Sequence, residues 1–294
     1  MPRGLAFTKM TEFYKLQPIK LGCEVGGVDL KTEDRPEVIK QIKKDVTEHR
    51  LLVFKDQGKI YGHRQVEISK WFGELECTFF KHRRSPHPEV FRVSNDPAEG
   101  CTGVGRTGWH IDGTFQPAPY AYSLYFMDKV PKSGPTVFAP MTEIIDNLPP
   151  WKFAEWDRIY MASDRRGGVV HPLIYTHPRT KKRVMCFHLG MMEDFIYDYG
   201  TPKERFATPE EFHRIRDEIH HEFVKDDGKI QYRHEWQEGD LIISDNCAVA
   251  HEAAPETQYP VGKVGLRVLH RTTVHNPIPP TKEYPESSST VEEC

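Results

Sequence analysis

The stretch GWHIDGTF, residues 108–115, places a histidine and an aspartate two positions apart among aromatic residues. Its aromatic and β-branched side chains predict a strand, in which side chains alternate between the two faces with a period of two. His110 and Asp112 would then point to one side and Ile111 to the other. An imidazole and a carboxylate held side by side are two of the three ligands of an open metal site.

His251 is the best candidate for the third ligand, although the chain contains 15 histidines. It follows the predicted strand and turn GDLIISDN, residues 239–246. Further on, Arg267 and Arg271 share one face of a predicted strand, and inward-facing guanidinium groups are costly unless they meet anions. Two histidines and one carboxylate form the facial triad that binds Fe(II) and leaves positions open. We therefore expect iron and Arg267 to hold the two ends of an oxo-acid; the alternative is that both arginines form structural salt bridges.

The composition predicts a globular chain that is rich in turns. Hydrophobic residues make up 38% and charged residues 28% of the chain, which argues against disorder. Glycine (21 residues) and proline (23 residues) are frequent, which favours a β-rich fold. The net charge of −3 provides no basic excess to neutralise a phosphate backbone, so we expect no nucleic-acid partner.

Cysteine usage and hydropathy indicate where the protein resides. The six cysteines are scattered without a CxxC pair, which is typical of reduced thiols in an intracellular protein. The first 16 residues lack the apolar core of a signal peptide, and no run of about 18 apolar residues is present to span a bilayer. We expect a cytoplasmic protein with no membrane partner.

Periodicity predicts helices around a strand-rich middle and end of the chain. Helices are predicted at residues 35–50, 64–75 and 208–226. The last of these begins with a capping box formed by Thr208 and Glu211. Strands or hairpins are predicted at residues 17–30, 51–56, 89–96, 121–130, 169–187, 232–253 and 264–274, with a strand passing into a short helix at 136–150.

The order of these elements predicts a single domain. They do not alternate as βαβα, which argues against a doubly wound parallel sheet. We expect one domain over residues 1–278, largely irregular structure over residues 151–180, and a disordered tail over residues 279–294, which are rich in proline, serine and glutamate.

Eight segments match a known family in order, from about residue 17 to residue 276. They are LGCEVGGVDL, LLVFKDQ, WFGELE, WHIDGTF, SGPTVF, HPLIYTHPRTKKRVMCF, WQEGDLIISDNCAVAH and LRVLHRTTV. With these segments the chain resembles the taurine dioxygenase-like (TauD/TfdA) branch of the Fe(II)/2-oxoglutarate-dependent dioxygenases. An HxD motif alone occurs by chance in many proteins, whereas eight ordered segments that include the distal histidine and the arginine pair are specific.

The resemblance implies a mainly β fold with flanking helices, the double-stranded β-helix or jelly roll. The implied iron ligands are His110, Asp112 and His251. The implied cosubstrate-binding residues are Thr136, Arg267 and Arg271, of which Arg267 anchors a 2-oxoglutarate carboxylate and Thr136 assists it. Arg271 is also expected near the acidic group of the substrate.

The same resemblance implies an oxidoreductase that uses Fe(II), 2-oxoglutarate and O2. It would release succinate and CO2 while oxidising an unactivated C–H bond of a small anionic or zwitterionic substrate, either a sulfonate or an amino-acid-like molecule. Three alternatives are a cyclising or desaturating enzyme of specialised metabolism, a catalytically inactive jelly-roll binding protein, and a nucleic-acid or protein demethylase. Members of the family often form dimers or tetramers, so a homodimer or homotetramer is expected.

The substrate pocket is where the match is weakest. The family has an asparagine three residues before its tryptophan, where this chain has Arg106, and its upstream histidine has no ungapped counterpart. His82 takes that place if a gap is allowed, so the candidate substrate-binding residues are Arg271, His82 and Arg106. The alternative for the last two is a solvated basic surface. Aromatic side chains that line the pocket or simply pack in the core are Tyr122, Phe126 and Phe187.

Overall fold

The computed structural model describes residues 9–76, 81–163 and 168–283. Its strands are β1 (Lys9–Met10), β2 (Lys15–Pro18), β3 (Cys23–Gly26), β4 (Leu51–Phe54), β5 (Phe91–Ser94), β6 (Tyr122–Lys129), β7 (Thr136–Pro140), β8 (Ile159–Ser163), β9 (Val170–Pro172), β10 (Ile174–Thr176), β11 (Arg183–Met185), β12 (Met192–Tyr197), β13 (Arg205–Phe206), β14 (Tyr232–His234), β15 (Leu241–Asp245), β16 (Val249–Ala253) and β17 (Val268–Val274). Its helices are α1 (Pro36–His49), α2 (Gly62–Lys70), α3 (Met141–Asp146), α4 (Pro150–Trp156), α5 (Pro209–Gly228), α6 (Val261–Val264) and a 3-10 helix (Pro255–Gln258). Within these ranges, none of the helices combines the length and the apolar character needed to cross a membrane.

The largest sheet has eight strands in the order β1-β2-β3-β4-β15-β6-β17-β5. Its pairs are antiparallel except β3 with β4. The side chains of β4 alternate between two apolar clusters, because a strand sends successive residues to opposite faces. Leu52 and Phe54 pack with the apolar face of α1, whereas Leu51 and Val53 face the interior of the molecule.

A second sheet, of the order β14-β7-β16, closes the interior. Phe138 of β7 and Val249 of β16 belong to the same apolar cluster as Leu51 and Val53, so the two sheets face each other. This pair of facing, largely antiparallel sheets with helices outside is a jelly roll, and the predicted mainly β fold with flanking helices is confirmed. The functional residues lie between these sheets.

A further apolar core lies behind the second sheet. Val137 and Ala139 of β7 point away from the interior and pack with side chains of α3, α4 and α5. The four-stranded sheet β13-β12-β8-β9 covers the same core. Helix α5 begins at the predicted capping box, in which the backbone N–H of Glu211 donates to Thr208 Oγ1 and the Glu211 carboxylate accepts from the Thr208 N–H. The helices predicted at residues 35–50 and 64–75 are present as α1 and α2.

The prediction that residues 151–180 are largely irregular was wrong. Helix α4 and strand β8 occupy the first part of this region, whereas the antiparallel pair of β10 and β11 confirms the hairpin predicted at residues 169–187. Helix α4 places Pro150 at its first turn, where the fixed φ of proline suits a helix and the missing N–H costs no hydrogen bond. The helix is only seven residues long, and it is held by burial of Trp156 rather than by a periodic pattern that the sequence displays.

The end of the chain is described only in part. Residues 279–283 lie beside β10, where the backbone N–H of Thr176 donates to the carbonyl oxygen of Thr281 over 2.8 Å. The remainder of the predicted tail, residues 284–294, lies outside the described residues. The single domain over residues 1–278 and the disordered tail stay predictions.

Candidate functional site

The three predicted metal ligands come together between the two sheets. One ligand atom from each of His110, Asp112 and His251 lies within 4.8 Å of the other two, and all three side chains are buried. His110 and His251 also form an isolated bridge, with backbone N–O distances of 3.1 and 2.9 Å. This bridge fixes the HxD segment beside β16, and so it brings together residues that are 141 positions apart in the chain.

The HxD segment itself is not the strand that the sequence predicts. Only His110 forms bridges, to His188 and His251, and the chain then turns. Gly113 has a φ of 84°, and a Cβ atom there would lie 2.8 Å from the backbone nitrogen of Tyr120. The predicted strand is therefore wrong, although the predicted proximity of the imidazole and the carboxylate is present.

A side-chain amide holds the backbone of Asp112 in this turn. Asn246 Oδ1 accepts from the Asp112 N–H over 2.9 Å, and Asn246 Nδ2 donates to the Asp112 carbonyl oxygen over 2.9 Å. The same Nδ2 donates to the carbonyl oxygen of Tyr120 over 2.7 Å. They add to two backbone hydrogen bonds of the segment, from the Ile111 N–H to the Phe187 carbonyl oxygen over 3.1 Å and from the Tyr120 N–H to the Asp112 carbonyl oxygen over 3.2 Å.

Both histidines have the protonation state that a metal ligand needs. His110 Nδ1 lies 2.7 Å from the carbonyl oxygen of Gly108, which can only accept, so Nδ1 carries the proton and Nε2 is free to ligate. Burial lowers the pKa of His110 and lowers that of His251 from 6.5 to about 3. Neutral imidazoles bind metal without first losing a proton.

The carboxylate of Asp112 is ionised in spite of its burial. Burial raises its pKa, but the nearby Arg271, with Nη1 2.5 Å from Oδ1, and the two histidines outweigh this and hold the pKa below its ordinary value. Ser123 Oγ donates to Oδ2 over 3.0 Å. Two neutral imidazoles and one ionised carboxylate are a donor set that fits Fe(II) and leaves coordination positions open.

A narrow cavity connects this cluster to a buried cation. Its wall includes Tyr125, Thr136, His251, Arg267, Leu269 and Arg271. Arg267 is 2% exposed, and its Nε lies 3.4 Å from the carbonyl oxygen of Gly134. No carboxylate of the residues that the structure describes lies within 4.0 Å of its guanidinium, and burial lowers its pKa to about 10. A desolvated cation without an acidic partner needs an anionic ligand.

Thr136 lies on the same wall as Arg267. Its Oγ1 accepts a hydrogen bond from the indole Nε1 of Trp236 over 3.1 Å, which directs the hydroxyl proton away from the indole. The threonine can therefore donate its own proton to an anion in the cavity. The structure thus brings together the predicted cosubstrate-binding residues on one cavity wall.

The other predicted substrate-binding residues, Arg106 and His82, are not among the residues that line the cavity. Arg106 donates from Nη1 to the carbonyl oxygen of Ala253 over 2.7 Å, next to residues that line the cavity. His82 lies in an exposed loop, with Nε2 3.2 Å from the carbonyl oxygen of Pro97. Neither side chain forms part of the cavity wall described above, and their contact with substrate stays a prediction.

Several residues of the site were not found from the sequence. Ser123 and Tyr125 reach Asp112, Asn246 holds its backbone, Trp236 orients Thr136, and His188 stacks on His110 with 4.4 Å between ring centroids. The aromatic side chains that the sequence left open pack in the apolar clusters instead, namely Tyr122, Phe126 and Phe187. Tyr125 takes the place at the cavity that Tyr122 and Phe126 were considered for, because alternate residues of β6 face the interior.

Comparison with known proteins finds a family and relatives that match most of the chain. The model of the taurine catabolism dioxygenase TauD, TfdA family matches residues 12–273. The alpha-ketoglutarate-dependent 2,4-dichlorophenoxyacetate dioxygenase of Burkholderia sp. (strain RASC) is 25% identical over 270 residues, which cover 80% of this chain and 86% of that protein. The alpha-ketoglutarate-dependent sulfate ester dioxygenase of Pseudomonas putida is 23% identical over 295 residues, with 88% of each chain covered.

Solved structures share the fold. A taurine dioxygenase from Burkholderia xenovorans superposes with a TM-score of 0.73 at 24% identity, over 91% of this chain and 92% of that one. The protein AAD-2, solved in complex with Mn(II) and N-oxalylglycine, gives a TM-score of 0.72 at 21% identity, over 92% of this chain and 100% of that one. The chain therefore belongs to the taurine catabolism dioxygenase TauD, TfdA family, and it is an oxidoreductase that uses Fe(II), 2-oxoglutarate and O2.

Proposed function

We propose that this dioxygenase oxidises an unactivated C–H bond of a small anionic or zwitterionic molecule, a sulfonate or an amino-acid-like compound. In this proposal His110, Asp112 and His251 hold Fe(II). Arg267 and Thr136 bind the distal carboxylate of 2-oxoglutarate. Arg271 lies next to both the cosubstrate and the acidic group of the substrate.

One observation carries the proposal. The buried guanidinium of Arg267 has no carboxylate within 4.0 Å among the described residues, and it lines the same cavity as His110 and His251. 2-Oxoglutarate has a carboxylate at one end and a chelating oxo-acid at the other, so one molecule satisfies both ends of the cavity. The planar fork of arginine suits bidentate capture of a carboxylate.

The residues of the site bind, orient and exclude water. Bound Fe(II) supplies the redox chemistry that couples decarboxylation of 2-oxoglutarate to oxidation of the C–H bond. Asn246 and the Gly113 turn fix the direction of Asp112. The apolar side chains of Val93, Val104 and Leu269 line the cavity and keep water from its walls, which strengthens the electrostatic contacts made there.

The charge near the metal ligands supports an anionic substrate. Arg271 lies on the cavity wall with its Nη1 2.5 Å from Asp112 Oδ1, and Arg106, which follows the lining residue Gly105, has its Nη1 4.0 Å from Glu252 Oε1. The names of two relatives specify anionic compounds, 2,4-dichlorophenoxyacetate and a sulfate ester. Arginine near an apolar wall suits a substrate with an anionic group and an apolar body.

The test is succinate release from 2-oxoglutarate with Fe(II) and ascorbate across a substrate panel. The panel contains taurine, alkyl sulfates, phenoxyacetates, dicarboxylic and N-alkylated amino acids, and a control without substrate. We expect at least one anionic compound to stimulate succinate release above the control, and Asp112→Ala to abolish both rates. If the wild type forms succinate and Asp112→Ala forms it at the same rate, the assignment of the site is overturned.

The mass of the product separates the possible outcomes of C–H oxidation. An increase of one oxygen atom shows hydroxylation, whereas a loss of two hydrogens shows desaturation or cyclisation. Stimulation only by taurine or alkyl sulfates assigns a sulfur oxyanion as the recognised group. Stimulation only by amino acids assigns an amino-acid-like substrate.

A further inference from the structure

Two hydroxyl side chains of β6 face the carboxylate ligand. Ser123 and Tyr125 are two residues apart in the strand, so both point to the interior between the sheets. Tyr125 is paired with Arg271 across β6 and β17. The three side chains therefore approach Asp112 from neighbouring positions of the same sheet.

The two oxygens of Asp112 have different partners. Arg271 Nη1 donates to Oδ1 over 2.5 Å, while Ser123 Oγ donates to Oδ2 over 3.0 Å. The Tyr125 hydroxyl lies 3.5 Å from Oδ2 and 3.3 Å from His251 Nε2. Oδ2 is 3.6 Å from the same histidine nitrogen, so the phenol oxygen is as close to these two atoms as they are to each other.

We propose that Ser123 and Tyr125 are positioning residues that fix Asp112 as a one-oxygen ligand of the metal through Oδ2. An ionised carboxylate has about four acceptor positions. Arg271 takes one position of Oδ1 and Ser123 takes one position of Oδ2, while the Tyr125 hydroxyl, 3.5 Å from Oδ2, restrains the rotation of the carboxylate by contact. Oδ2, which is 3.6 Å from His251 Nε2, then keeps one lone pair for the metal. This inference rests on the proposed function, because it assigns roles around the same metal.

The restraint has a consequence for the cosubstrate. A facial triad is useful because it leaves positions open for a chelating oxo-acid and O2. A carboxylate that rotates to bind through both oxygens takes one of those positions. Ser123 and Tyr125 therefore keep open the coordination position that 2-oxoglutarate needs.

The experiment measures Co(II) binding by the full-length chain, using visible absorption, which reports the number of ligands. Ser123→Ala, Tyr125→Phe and the double variant are compared with wild type. We expect the dissociation constant to rise about 10- to 100-fold in the double variant, as for other groups that orient metal ligands, and the spectrum to change shape. Each single variant is expected to show part of both changes, so the result does not depend on the folding of the double variant.

Matched controls remove similar groups elsewhere. Tyr14→Phe deletes another buried phenol that donates to a carboxylate, Oδ2 of Asp45 at 2.5 Å, and Ser69→Ala deletes a buried serine hydroxyl of α2. Both are expected to bind Co(II) as wild type does. The inference is overturned if all β6 variants give the wild-type spectrum and Co(II) dissociation constants within twofold of the wild-type value, while Asp112→Ala binds Co(II) more weakly. If Asp112→Ala also matches wild type, the metal site itself is refuted.

Discussion

Arg267 is a buried cation without an acidic partner among the described residues. Its burial is expected to lower the stability of the cosubstrate-free protein and to strengthen the binding of 2-oxoglutarate. Replacing a buried ion pair with apolar side chains of similar volume often stabilises a protein by about 1–4 kcal/mol, and a buried cation without an acidic partner has no ion-pair energy to lose. Removing one partner of a buried charged hydrogen bond costs a complex about 2–5 kcal/mol. We expect Arg267→Met to raise the free energy of unfolding of the cosubstrate-free protein and to weaken 2-oxoglutarate binding by about 30-fold or more.

Urea unfolding and isothermal calorimetry measure these two effects. Arg92→Met is the matched control, because Arg92 is also buried but has Glu99 at 3.2 Å and Asp128 at 3.5 Å. Its loss is expected to destabilise the protein, since Asp128 loses the cation that contacts it and Glu99 keeps only Arg84. Equal destabilisation by both variants would contradict the view that Arg267 is held ready for an external anion.

At the residue scale, the sequence contains the ligands but not the groups that orient them. His110 and Asp112 are recognisable because their spacing is local, and Arg267 and Arg271 because they lie four residues apart in a predicted strand, although β17 begins only at Val268. The contact of Asn246 with Asp112 spans 134 positions. Whether Tyr122 or Tyr125 faces the cavity depends on strand register, and a shift of one residue turns every side chain to the other face.

The turn after Asp112 is the element that directs the ligand set. Gly113 has a positive φ and no room for a side chain, since a Cβ would meet the Tyr120 backbone nitrogen at 2.8 Å. We expect Gly113→Ala to cost more than about 2 kcal/mol in the free energy of unfolding, from the left-handed backbone and the clash together. The displaced Asp112 would also bind Co(II) less tightly.

Gly103→Ala is the control for backbone strain. Gly103 has a φ of 72° but no atom within 4 Å of the added Cβ. The Gly103→Ala variant is expected to lose about 1–2 kcal/mol in the free energy of unfolding, from the left-handed conformation alone, and to bind Co(II) as tightly as wild type. Chemical unfolding and Co(II) titration measure both variants. Equal losses of metal affinity would show that the turn does not direct Asp112.

Strand β17 carries a histidine whose titration is linked to stability. Burial lowers the pKa of His270 from 6.5 to about 4; Asp128 opposes this shift, whereas Arg92 and Lys59 add to it. Arg92 Nη1 lies 2.6 Å from Nε2, which accepts its proton in the neutral form. Between pH 6.5 and 4 the unfolded chain binds a proton that the folded chain excludes, so stability falls as the pH falls through this window.

His270→Gln tests this linkage, because an amide oxygen accepts from Arg92 but does not titrate. Other buried groups also titrate in this range, so the comparison is between the slopes of the two proteins. Wild type is expected to lose up to about 1.4 kcal/mol more per pH unit than His270→Gln in urea unfolding between pH 6.5 and 4.5. Equal slopes of unfolding free energy against pH in wild type and His270→Gln would show that His270 binds its proton equally well in the folded and unfolded states.

Elements with strong local signals are predictable, and elements held by tertiary burial are not. The capping box and apolar spacing of α5 identify it from the sequence. Helix α4 has seven residues, and its first turn is set by a proline pair that reads as a loop. The HxD segment has strand composition but is held by a bridge and by Asn246, neither of which is visible locally.

At the scale of the whole molecule, the two facing sheets are joined through the site. His251 lies on β16 of the smaller sheet, while Arg271 and Tyr125 lie on the larger one. Ligands that contact both sheets bind the folded state and not the unfolded chain, so they raise its stability by mass action. The jelly roll is therefore expected to become more stable when the site is filled.

Thermal unfolding with Mn(II) and 2-oxoglutarate tests this coupling between site and fold. A ligand at 100 times its dissociation constant adds about 2.7 kcal/mol, which corresponds to about 5 °C for a chain of this size. Because 2-oxoglutarate is proposed to contact both the metal and Arg267, we expect its shift to be larger with Mn(II) present than without it. Asp112→Ala should lose both shifts, whereas Arg267→Met should keep the Mn(II) shift and lose the increment from 2-oxoglutarate. If the shifts from Mn(II) and 2-oxoglutarate simply add, and are the same in wild type and Arg267→Met, the cosubstrate does not bridge the metal and the buried arginine.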